Sequence, residues 1–253
     1  MRTPNLQCLL CKDELATKKE SHIISKFITK GILGSTNQKK AYVINAAGQI
    51  ISSVQDTIKE DYILCPSCEK YFEHLETYVS KEFYHKFWDD KYQLDFHIQH
   101  QKDFQLKLCN RVNPNIFRLF LNSIIWRCSI SSDKACENFQ LKQEEEEILR
   151  KILLKHKKLK YKELFSIPSA NIPKYNIKLC TTIKRLDNEN NVIVCDSFLK
   201  MILFNEFLLT FSFEEITYIP DLIMIGTVTL DSWNKLLLTL GEAWGKRQAQ
   251  INH

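Results

Sequence analysis

Four of the nine cysteines in this 253-residue chain fall into two C-x-x-C pairs, Cys8-Leu-Leu-Cys11 and Cys65-Pro-Ser-Cys68. A two-residue gap lets one tight turn present two thiolates to one ion, and zinc takes four such soft ligands as a tetrahedron. The pattern predicts one structural Zn²⁺ held by Cys8, Cys11, Cys65 and Cys68. The first residues lack the apolar core of a secretory signal, and an odd cysteine count fits reduced thiols, so the expected location is cytoplasmic. The other five, Cys109, Cys128, Cys136, Cys180 and Cys195, are unpaired in sequence and read as small buried apolar side chains.

Fifty-three residues lie between the two pairs, against ~15–20 in a zinc ribbon. A folded insert must therefore return its ends to one metal. The insert holds Ser21-His22-Ile23-Ile24-Ser25-Lys26-Phe27 and a polar loop at 31–40. A hairpin pattern follows, 41–45 and 50–54, and then Glu60-Asp61 ahead of Leu64-Cys65. After the second pair, Tyr71, Phe72, Leu75, Tyr78 and Val79 recur at helical spacing and predict a helix over 69–80.

This order of cysteine pair, His-Ile-Ile segment and Leu-Cys-x-x-Cys at a helix start resembles the HNH endonuclease family. It is most similar to a small bacterial branch with a Ser/Glu-His-Ile-Ile-Pro-Lys segment, over about residues 8–80. The resemblance implies a zinc-braced ββα-metal module. His22 would be the general base and Glu69 a ligand for a catalytic Mg²⁺ or Mn²⁺. Glu60 or Asp61, standing where the family has an asparagine, would orient His22 or bind metal; Ser25 replaces the family's proline. Phosphodiester hydrolysis needs such a base for water and a cation for the developing charge. Lys26 and Lys30, one helical turn apart, are candidate phosphate contacts. The resemblance further implies cleavage of DNA or, as the alternative, RNA. It also implies a nuclease role in bacterial anti-phage defence, with an ATPase subunit as a protein partner. A zinc module that keeps the fold as a non-catalytic adaptor is the competing function.

The elements that must carry these residues are legible to different degrees. Residues 115–129 are apolar almost all round and predict a buried helix in which Arg118 and Arg127 need partners. Residues 143–160 predict a helix with acids first and bases last, the order that complements the helix dipole. Its basic end reads as a solvated helix end or a nucleic-acid contact. His97 and His100 would share a helix face as packing or polar surface groups, or as ligands of a second metal. Beyond Pro173, β-patterned runs at 177–186 and 192–195 suggest a hairpin; further runs cover 201–213, 216–219 and 222–230, and a closing helix covers 232–244.

The fold class expected is α+β: an HNH-like module at 1–80, a helical region at 81–165, and an α+β region of unknown role at 166–253, mostly antiparallel sheet covered by helices. The net charge of +5 permits a polyanionic partner, although residues 1–80 are nearly neutral, with ten Lys/Arg and nine Asp/Glu. No apolar run reaches the ~20 residues of a membrane helix. Six glycines and no P-loop or dinucleotide fingerprint exclude a glycine-rich nucleotide cradle.

Overall fold

The computed structural model describes residues 2–28, 41–44, 50–54, 56–100, 104–157, 163, 165–166, 172–173, 175–182, 192–196, 200–204, 207–215 and 223–251. In chain order the elements are β1 (Ser21–His22), β2 (Ala41–Ile44), β3 (Ile50–Val54), β4 (Lys59–Glu60), α1 (Pro66–Val79), β5 (Phe96–His100), β6 (Gln105–Cys109) and α2 (Pro114–Ile130). They continue with α3 (Gln143–Lys157), β7 (Tyr175–Thr182), β8 (Val192–Asp196), β9 (Met201–Phe204), β10 (Phe207–Glu215), β11 (Ile223–Val228) and α4 (Leu230–Ile251). The protein is thus mixed α+β.

Nine strands form one sheet in the order β3-β2-β8-β9-β10-β7-β11-β6-β5. All neighbours are antiparallel except β2–β8 and β7–β11. Alternation along the strands assigns its two faces. Phe207, Leu209 and Phe211 of β10 and Ile202 of β9 join the main core with residues of α1, α2 and α3. Leu208, Met201 and Leu203 point the other way and pack with Trp233 of α4. Buried side chains run continuously from Asn115 to Ser129 in α2, as expected of a helix apolar all round. Asn113 caps it by accepting from Asn115 N and Ile116 N.

Several sequence expectations change at this level. Residues 175–182 and 192–196 do not form a hairpin. β7 pairs with β10 and β11, while β8 pairs with β9 and β2, because the β9–β10 hairpin lies between them. The run 201–213 is two strands, not one. His97 and His100 lie on strand β5 rather than a helix; three residues apart, they project to opposite faces. The β2–β3 hairpin forms, yet joins the edge of the large sheet, which therefore draws strands from all three sequence segments. The run 216–219 lies outside the described residues, as do residues 158–160 of the expected helix. Among the described residues no helix is long and apolar enough to cross a membrane.

Candidate metal centre and the adjoining His22 cluster

Two local devices bring the first four cysteines together. In the loop 8–12, Cys8 N donates to Glu14 O (2.8 Å), Leu9 N to Ile63 O (2.9 Å) and Lys12 N to Cys8 O (2.9 Å). Lys12 closes the turn in the left-handed region at φ 60°. Cys65 is the N-cap of α1, Pro66 occupies its first turn, and Cys68 follows within that turn. The second pair therefore sits at the positive end of a helix dipole, which favours thiolates. All four side chains are buried and their Sγ atoms lie within 4.8 Å of one another; Cys11 Sγ and Cys65 Sγ are 3.8 Å apart. Such a donor set fits a tetrahedral zinc ion.

Cations from α3 surround the tetrad. Arg150 Nη1 donates to Leu10 O (2.6 Å) inside the first C-x-x-C turn while pairing with Glu147. Lys157 Nζ reaches Glu14 at 3.2 Å, and Ser67 Oγ donates to the same carboxylate at 2.7 Å. Burial opposes charge on Lys157, but a hydrogen bond and attraction to Cys68 raise its pKa above the ordinary lysine value. A hydrogen bond from Cys68 holds the Cys8 thiol well below the usual range, against burial. Part of the basic helix end is thus directed at sulfur.

Beside the tetrad, β1 and β4 form a two-stranded antiparallel ladder, Ser21 opposite Glu60 and His22 opposite Lys59, and α1 follows it. Arg127, 2% exposed in α2, binds the two halves of this unit. Its Nη1 donates to His22 O (2.7 Å) and to Glu76 Oε1 (2.6 Å), and its Nε donates to Ser123 O (3.2 Å). Glu69 and Glu76 stand seven residues apart on α1, hence on one face. The atoms of this region that are buried without a hydrogen-bond partner include Ser21 Oγ, His22 Nε2 and Glu69 Oε2, with Thr57 Oγ1 and Tyr71 Oη nearby in sequence.

Glu76 and Arg127 act on both His22 and Glu69. Burial lowers the His22 pKa, with Glu76 opposing and Arg127, Lys59 and Lys26 assisting. Burial raises that of Glu69; the Ser21 hydroxyl and Arg127 oppose the rise, and Glu76 adds to it. Ser21 helps the ionised form although its Oγ makes no hydrogen bond of good geometry.

The other predicted site residues are disposed differently. Glu60 accepts from Ser131 Oγ (2.9 Å), Ser132 N (3.0 Å) and Ser132 Oγ (2.6 Å), so both its oxygens secure the end of α2. Asp61 accepts from Glu20 N (2.8 Å) at the surface. Neither joins His22. Lys26 is exposed in a helical turn at 26–28, and Lys30 lies outside the described residues. Sequence reasoning missed Glu76, whose signal was its seven-residue spacing from Glu69, and left Arg127 without its partners. It also read Cys128, Cys136 and Cys195 as isolated apolar residues, whereas their Sγ atoms form a second buried cluster; both clusters could hold a metal ion such as zinc. Compared with known proteins, this chain matches no family model, no curated protein and no solved structure.

Proposed function

We propose that the β1–β4–α1 unit is the catalytic module of a metal-dependent endonuclease of HNH type, hydrolysing phosphodiester bonds in DNA, with RNA as the alternative substrate. The observation that carries this reading is the pair of buried, unpartnered atoms His22 Nε2 and Glu69 Oε2 on one strand-pair-and-helix unit braced by a cysteine tetrad. Buried polar atoms are nearly always satisfied, so two such atoms on one strand-pair-and-helix unit favour a ligand. Glu69 would hold Mg²⁺ or Mn²⁺, which when bound would neutralise charge developing on the phosphate.

The chain's own residues have separate tasks. Burial keeps the His22 imidazole neutral at pH 7, the state that accepts a proton. As the water oxygen bonds to phosphorus, the water proton passes to His22 Nε2. The phosphorus–oxygen ester bond breaks and the leaving alkoxide takes a proton from solvent. Arg127 fixes the His22 backbone, and its ion pair with Glu76 ties that backbone to α1. Exposed Lys26 supplies a cation for the strand's phosphates. The anti-phage role and the ATPase partner belong to this reading through the family resemblance.

One observation favours the second reading, a zinc-module adaptor without catalysis: Glu60 and Asp61, the acids nearest the family's middle position, are engaged elsewhere. Cleavage of plasmid and single-stranded DNA, with and without Mn²⁺ or Mg²⁺, separates the two. Metal-dependent cutting that disappears in His22→Ala with zinc retained supports the nuclease. Cutting unaffected by the substitution, or none in either protein, removes it.

A further inference from the structure

Cys128 lies in the last turn of α2, Cys136 ends a 3-10 turn at Lys134–Cys136, and Cys195 lies on β8. All three are buried, at 0%, 1% and 4% exposure. Their Sγ atoms lie within 4.8 Å of one another. Three thiolates at Zn–S distances of ~2.3 Å in a tetrahedron stand ~3.8 Å apart, so a small contraction completes the geometry.

We propose that Cys128, Cys136 and Cys195 form a second metal site, a three-thiolate centre for a soft divalent ion of which zinc is the natural occupant. Among the described residues no further His, Cys, Asp or Glu joins the three.

The remaining cysteines provide an internal control. Cys109 is buried singly, and Cys180 packs beside Gly226 with only partial burial. In both, burial is the main influence and raises the thiol pKa, as for an inert small side chain. Cys128, Cys136 and Cys195 differ: each lies within hydrogen-bonding reach of the other two sulfurs. The loop carrying Cys136 is held before any metal arrives. Asp133 accepts from Ala135 N (2.8 Å), Phe139 N donates to Cys136 O (2.7 Å), and the preceding serines bind Glu60. An ion here would tie β8 of the large sheet to the helical layer. Displaced thiol protons go to solvent, and the resulting single negative charge lies beside Arg127.

Zinc stoichiometry of the full chain under reducing conditions, by native mass spectrometry and elemental analysis, tests the site. Two ions per chain are expected in the wild type and in Cys109→Ser and Glu69→Gln, but one in Cys195→Ser. Cobalt loading gives a reading that needs no variant, since thiolate charge-transfer intensity should correspond to seven sulfur ligands rather than four. One zinc per chain in the wild type overturns the proposal. So does a second zinc lost in Glu69→Gln but kept in Cys195→Ser, or a wild-type chain two daltons lighter with a disulfide among the three.

Discussion

The tetrad of Cys8, Cys11, Cys65 and Cys68 is built from two short turns, whereas Cys128, Cys136 and Cys195 come from a helix end, a 3-10 turn and a strand. The tetrad has Arg150 and Lys157 around it and a helix N-terminus beneath it. The triad has Arg127 as its cationic neighbour and is framed by the sheet. A metal bound at the tetrad would tie the irregular loop 8–12 to the start of α1. At the triad an ion would join α2, a 3-10 turn and β8, and both sets of sulfurs belong to the main hydrophobic core. The two clusters should therefore respond very differently to damage.

The largest effect is expected at the tetrad. Cys68→Ser removes a ligand from a site type whose zinc binding contributes ~10–16 kcal/mol in isolated modules. Loss of zinc together with loss of amide protection over residues 8–28 and 56–68, read by hydrogen exchange, is the expected outcome. Cys195→Ser should leave that segment protected. Equal loss in both variants would erase the distinction between them.

Arg127 comes next, since it connects the His22 unit to the helix that carries Cys128. Arg127→Met leaves the partly buried Glu76 and the His22 carbonyl without their shared partner and should cost ~3–5 kcal/mol in denaturant unfolding. A cost below ~1 kcal/mol would mean that the buried pair does not hold the two layers together.

Glu60 is a sharper case, because sequence and structure give it different work. Glu60→Ala should lower stability by ~1–3 kcal/mol through its lost bonds to Ser131 and Ser132. Zinc content and cleavage rate should stay unchanged. Abolished cutting at full stability would return Glu60 to the catalytic set.

These cases separate what the sequence carries locally from what only the tertiary fold supplies. C-x-x-C spacing encodes a metal turn locally, and the i, i+3, i+4 pattern after Cys65 encodes α1, so the tetrad and its helix were legible. The triad was not, because its spacing depends on β8 packing against the end of α2, a tertiary event without a local signature. Glu60 misled for a related reason: adjacency to the second cysteine pair says nothing about which way its carboxylate turns. The failed hairpin at 177–195 has the same origin, since strand neighbours are chosen by the whole sheet and the β9–β10 pair that separates its strands is as β-patterned as its surroundings.

The smallest effect concerns pH. Burial lowers the His22 pKa in the folded chain, so the imidazole loses its proton below the ordinary value of 6.5. Cleavage should rise as pH increases through that lowered pKa, with the midpoint of the rise below 6.5. An acid limb centred above 6.5 would mean that another group is the base.

The most direct measurement is Mn²⁺ binding to the zinc-loaded chain, followed by electron paramagnetic resonance in the wild type and in Glu69→Gln. One bound Mn²⁺ per wild-type chain, lost in Glu69→Gln while zinc content and fold persist, is the result this account predicts. Equal Mn²⁺ binding by the two proteins, or none by the wild type, would contradict it.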